Sequence, residues 1–137
     1  MVAHIVVVDD YQEFAELVEE VLGESGYAVS WCGEEKEALT CITSEHPDLV
    51  LLDIRLDEPG SGWKVLDQVR ANPATAETPV IVCSAAVDAL HAREAWLIER
   101  GVGTLSKPFD IQDLLQMIEQ TLRAVAPTRG RRGSVER

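Results

Sequence analysis

Short runs of consecutive apolar residues alternate along the chain with longer stretches in which apolar positions recur every three or four residues. Residues 4–8, His-Ile-Val-Val-Val, form the first run. It is rich in β-branched residues and lacks inside–outside alternation, which predicts a strand buried on both faces. Phe14, Leu17, Val18, Val21 and Leu22 then fall on one helical stripe, closed by Gly26. The alternation continues with a strand over 27–32, a helix over 34–45 that stops before Pro47, and a buried strand over 48–52 running into Asp53. A loop with Pro59, Gly60 and Gly62 precedes a helix from Trp63 to Ala71, with Leu66 and Val69 inward. A polar connection from Asn72 to Pro79 leads to a strand over 80–84. A helix over 87–100, ended by Gly101, and a weaker strand over 102–106 follow. The last helix spans 110–125, with Ile111, Leu114, Leu115, Ile118 and Leu122 on one stripe.

Five βα units in a row imply an α/β fold with a parallel sheet covered on both faces, because parallel crossovers place helices there. The pattern predicts an open, doubly wound, five-stranded sheet of order 2-1-3-4-5, the flavodoxin-like arrangement. In such sheets functional groups collect at the carboxyl ends of the strands. Asp9 and Asp10 end the first strand here, Asp53 the third, Ser84 the fourth and Lys107 the fifth.

A chain of 137 residues fits one domain, and 46% hydrophobic residues predict a packed globule. The domain is expected over 1–125. From 126 the composition turns basic and Gly-containing (Arg129, Arg131, Arg132 and Arg137), which predicts a disordered tail over 126–137. The formal net charge of −12 argues against a nucleic-acid partner, since phosphate backbones attract basic surfaces. Cys32, Cys41 and Cys83 are odd in number and form no C-x-x-C pair, so they predict buried thiols in a reducing compartment. The first ten residues lack a signal-peptide pattern, and no apolar stretch is long enough for a bilayer. The expected location is cytoplasmic, with no membrane partner.

If the first and third strands are neighbours, Asp9, Asp10 and Asp53 converge. Like charges a few ångströms apart repel and raise one another's pKa. A hard divalent cation such as Mg²⁺, held by carboxylates, a backbone carbonyl and waters, resolves that repulsion. Each residue also has a plainer reading. Asp10 could cap the next helix, Asp53 could serve a turn, Ser84 could cap a helix and Lys107 could be solvated. Five such residues at four strand ends are harder to explain as turn chemistry.

With those residues in view, the sequence resembles the receiver domain of two-component response regulators, over about residues 3–125. The segments that carry the resemblance are Val-Val-Val-Asp-Asp at 6–10, Leu-Val-Leu-Leu-Asp-Ile-Arg-Leu at 49–56, Val-Ile-Val-Cys-Ser-Ala at 80–85 and Ser-Lys-Pro-Phe at 106–109. The resemblance implies a phosphorylation-dependent switch. Asp53 is then the phosphoacceptor, served by a histidine kinase or a histidine phosphotransfer protein. Asp10 is implied as a direct ligand of Mg²⁺ or Mn²⁺, Asp9 as a ligand largely through water, and the backbone carbonyl of Arg55 as a further ligand. Ser84 is implied to bond a phosphoryl oxygen, and Lys107, ahead of a cis Lys107–Pro108 bond, to pair with the phosphoryl group. Such a domain is a phosphoacceptor that assists its own phosphorylation and dephosphorylation, not an enzyme acting on a separate substrate. It signals through an output protein that the sequence does not identify.

Three features depart from the family pattern. The loop after Asp53 is one residue longer and carries Asp57 and Glu58. Thr104 stands where the family often has an aromatic ring. Arg55 and Ala86 occupy variable flanking positions. Other readings use the same residues: the receiver portion of a longer regulator, or a non-phosphorylated interaction module, for which loss of one of the five residues would be expected. An FMN binder of the same strand order would need a hydroxyl-rich loop where Asp-Asp-Tyr-Gln-Glu stands.

Overall fold

The last four residues of the first apolar run, Ile5 to Val8, are all at most 1% exposed. They belong to an inner strand of a five-stranded parallel sheet. The computed structural model describes residues 2–54 and 61–136, with the backbone alone at 61, 87 and 125–136. Its elements are β1 (His4–Val8), α1 (Gln12–Glu24), β2 (Ala28–Cys32), α2 (Glu35–Glu45), β3 (Leu49–Leu52), α3 (Ser61–Ala71), β4 (Val80–Ser84), α4 (Val87–Ala92), α5 (Glu94–Glu99), β5 (Gly103–Ser106) and α6 (Ile111–Glu136). The strand order is β2-β1-β3-β4-β5, as the alternation predicts.

Alternate residues of the central strands enter two separate cores, as the two-residue period of a strand requires. Val6, Val8, Val50, Leu52, Val80 and Val82 face α2, α3, α4 and α5, against Ile42, Leu66, Val69 and Leu97. Ile5, Val7, Leu49, Leu51, Ile81 and Cys83 face α1 and α6, against Val18, Leu22, Leu114 and Ile118. Each fully buried Val, Leu or Ile contributes about 1.5–3 kcal/mol relative to an exposed one. The apolar runs therefore favour the three inner strands, β1, β3 and β4, strongly and leave the edges, β2 and β5, weakly specified.

Two expected elements differ. The helix expected over 87–100 is broken into α4 and α5 at Arg93, whose φ of −113° and ψ of 17° leave the helical region. The local sequence is rich in good helix formers, so propensity does not mark the break. A tertiary contact coincides with it: the Arg93 guanidinium lies 4.5 Å from the centre of the Trp63 ring on α3. α5 then closes as expected at Gly101, which has φ +66°. The Gly101 N–H donates to Ile98 O and the Val102 N–H to Leu97 O, the paired bonds of a Schellman ending.

The last helix also differs. Its backbone continues through 126–136, the segment expected to be a tail without structure. Pro127, Gly130 and Gly133 are poor helix formers, and no described contact accounts for the continuation. Among the described residues, no helix is long and apolar enough to cross a membrane.

Candidate phosphoacceptor and metal site

Parallel pairing places the four polar strand ends side by side. Val8 pairs with Leu52, so the residues that follow, Asp9 and Asp53, emerge as neighbours. Their backbones stay tied to the sheet: the Asp53 N–H donates to Val8 O at 2.9 Å and the Asp9 N–H to Cys32 O at 3.1 Å. On the other side, Ser84 pairs with Ser106, and the Lys107 N–H donates to Ser84 O at 2.9 Å. The sheet thus brings residues 9, 53, 84 and 107 to one edge from positions far apart in sequence.

One carboxylate oxygen from each of Asp9, Asp10 and Asp53 lies within 4.8 Å of the others. Asp9 and Asp53 are buried and Asp10 is exposed. The Lys107 Nζ reaches over this group, 2.7 Å from Asp9 Oδ2 and 3.2 Å from Asp53 Oδ2. Its ammonium also lies 4.0 Å from the centre of the Phe14 ring, which meets Phe109 edge to face. The Lys107–Pro108 peptide is cis. Burial alone would lower the Lys107 pKa. The hydrogen bond to Asp9 and the attraction of both carboxylates outweigh it and hold the ammonium above its ordinary value. Burial pushes the Asp9 carboxyl up despite Lys107 beside it. Three carboxylates against one ammonium leave the pocket short of positive charge. An all-oxygen set of this kind suits a hard divalent cation, so the residues present fit Mg²⁺ or Mn²⁺.

The N-cap of α1 is Tyr11 rather than Asp10, and it carries no side-chain capping bond. Asp9 makes the local turn instead: its Oδ1 accepts the Tyr11 N–H at 2.9 Å. Ser84 is fully buried, and its Oγ accepts the Ala86 N–H at 3.1 Å. The Arg55 carbonyl and the acids Asp57 and Glu58 lie outside the described residues.

Several neighbours of the pocket had no signal in the periodicity. Phe14 was legible as a core position of α1 but not as a partner of Lys107. Trp31 was legible as a strand residue, yet its indole N–H donates to the Asp9 backbone carbonyl at 2.7 Å. Gly62 opens α3 against the Asp53 loop. Its N–H donates to Ile54 O at 3.0 Å, and a Cβ there would run into Ile54 Cα and the Asp53 carbonyl oxygen. A glycine two residues after the Pro59-Gly60 pair is the one hint of such a close approach.

Comparison with known proteins agrees with this geometry. Residues 5–119 match the family described as response regulator receiver domain. The response regulator MprA of Mycolicibacterium vanbaalenii is 34% identical over 133 residues, covering 95% of this chain and 54% of that protein. The chain therefore spans about half the length of the curated relatives it matches. The receiver domain of NtrX from Brucella abortus superposes with a TM-score of 0.75 at 29% identity, covering 87% of this chain and 98% of that one. The chemotaxis response regulator CheY4 of Vibrio cholerae, at 23% identity, shares the fold with a TM-score of 0.77 over 88% of this chain and 99% of that one. With the match spanning nearly the whole sheet and every strand end that builds the pocket, the chain belongs to the response regulator receiver domain family.

Proposed function

We propose that this receiver domain is a cytoplasmic phosphorylation switch that accepts a phosphoryl group on Asp53 from a phosphohistidine of a sensor histidine kinase or histidine phosphotransfer protein. The observation that carries the reading is the Lys107 ammonium bridging Asp9 and Asp53 beside a third carboxylate. A lone carboxylate is a poor nucleophile towards a phosphoryl group, because both are negative. Lys107 is a compact point charge that can pair with the incoming phosphoryl oxygens. An Asp53 oxygen attacks phosphorus in line and the P–N bond of the donor breaks. The electron pair stays on the imidazole, which takes up a proton.

Asp9, Asp10, Asp53 and the Arg55 backbone carbonyl would hold Mg²⁺ or Mn²⁺, which supplies further neutralisation of the phosphoryl charge. The buried Ser84 hydroxyl would turn from the Ala86 amide to a phosphoryl oxygen. The chain is then a phosphoacceptor assisting its own phosphorylation and dephosphorylation, not an enzyme with a separate substrate. The acyl phosphate exchanges about one negative charge for about two and adds acceptor oxygens. The altered surface is read by an output protein.

The test is labelling by acetyl phosphate in Mg²⁺. The unaltered chain is expected to take up one phosphoryl group and Asp53→Asn none, with an unchanged circular dichroism spectrum. Equal labelling of a folded Asp53→Asn chain would refute the assignment.

A further inference from the structure

We propose that Trp31 is a positioning residue for the acidic pocket, its indole N–H fixing the backbone of the Asp9–Asp10 turn. This rests on the reading of Asp9, Asp10 and Asp53 as cation ligands. The observation is a gap in the sheet ladder. β1 and β2 pair in parallel up to Val8 and Cys32, and the Asp9 N–H still donates to Cys32 O. The next rung of a parallel ladder would bring the residue 34 N–H to the Asp9 carbonyl. β2 ends at Cys32, however, and Glu34 instead becomes the N-cap of α2. The Trp31 Nε1–H supplies the donor, at 2.7 Å.

The ring is held closely for this task. A Cβ on Gly33 would lie 3.2 Å from Trp31 Cζ2 and 3.6 Å from the Asp9 carbonyl oxygen, so the glycine leaves the indole its room. Core filling is a weak explanation for the tryptophan, which is 41% exposed on an edge strand. The anchored residue is the one with most to lose from movement. Asp9 Oδ1 accepts the Tyr11 N–H and Oδ2 pairs with Lys107. A shift of its carbonyl would move Asp9 and the adjacent Asp10 together, relative to Asp53.

The experiment is calorimetric titration of the full chain with Mg²⁺. Trp31→Phe keeps an aromatic ring and loses the donor. It is expected to bind Mg²⁺ about 10-fold more weakly, the usual effect of removing an outer hydrogen bond that orients a ligand. Trp31→Leu, a second variant without the donor, is expected to do the same, and Trp96→Phe to bind as the unaltered chain does. In chelator, the Tyr11 amide is expected to exchange faster in Trp31→Phe, with amides of β3 and β4 unaffected, a pattern that general loss of stability does not produce. Mg²⁺ affinity unchanged in both Trp31 variants, beside clear binding by the unaltered chain, overturns the role of Trp31 alone. Failure of the unaltered chain to bind Mg²⁺ overturns the reading of the pocket and this inference with it.

Discussion

Trp63 and Trp96 meet edge to face, with ring centres 5.7 Å apart and planes at 90°. Trp63 stands immediately after Gly62, which packs on the Asp53 loop, and Trp96 lies in α5. Arg93, at the break between α4 and α5, covers both rings, at 4.5 and 5.5 Å from their centres. Arg100 covers Trp96 from 3.9 Å. The β5 residue Thr104 has no ring to offer, so this pair is an aromatic contact that joins the helix beside Asp53 to the broken helix opposite.

The pair therefore reports as a unit. Of the three tryptophans, Trp31→Phe leaves only these two. Their emission is expected to change when the acyl-phosphate mimic beryllofluoride binds, and the change is expected to vanish in Ser84→Ala. Arg93→Ala is expected to cost about 0.5–2 kcal/mol of stability, the range for a cation over an aromatic face. Emission indifferent to beryllofluoride contradicts the first expectation, and an unaltered urea midpoint the second.

Gly62→Ala is expected to damage the site more than its single methyl suggests. The added Cβ would meet backbone atoms of Asp53 and Ile54 that no rotamer change can move aside. A cost of about 1–3 kcal/mol in urea unfolding is expected, in the range for overpacking, with loss of Mg²⁺-dependent labelling. Gly23→Ala serves as the control, because nothing lies within 4 Å of a Cβ there.

Cys83 faces the core between β4 and α6 and is 2% exposed. Burial pushes its thiol up to about 12, and burial likewise pushes Cys41 up to about 11. The folded chain is thus expected to resist iodoacetamide at pH 8 and to react at all three thiols in urea. An acid raised above its ordinary value keeps its proton longer when folded. Stability is therefore full below the ordinary thiol value near 9 and falls as the pH rises from there. A urea midpoint that rises between pH 8.5 and 10 contradicts this.

Mg²⁺ is expected to raise the melting temperature, since it binds the folded acid pocket in preference to the unfolded chain. At about 100 times the dissociation constant the linkage is worth about 2.7 kcal/mol. Asp10→Ala is expected to remove most of the shift. Identical melting curves of the unaltered chain with and without millimolar Mg²⁺ contradict the cation site.

The parts of this molecule that could be read from its sequence are those where burial leaves few alternatives. β1, β3 and β4 are inner strands whose side chains are buried on both faces, so their apolar runs have no competing period. Asp9, Asp53 and Ser84 could be placed together because each ends such a strand, and parallel order adds Lys107 from the end of the half-exposed edge strand β5. Trp31, Phe14 and Phe109 could not be placed, because their roles depend on where another element arrives. The break at Arg93 escaped for the same reason: local propensity favours one helix, and the contact with Trp63 lies 30 residues away in sequence.

Reductive trapping identifies the phosphorylated side chain directly. After incubation with acetyl phosphate and Mg²⁺, borohydride converts an acyl-phosphorylated carboxyl into an alcohol, and peptide mass spectrometry locates it. The expected result is modification at Asp53 alone, and none when a chelator replaces Mg²⁺. Modification at Asp9 or Asp10, or an equal yield at Asp53 in chelator, would contradict it.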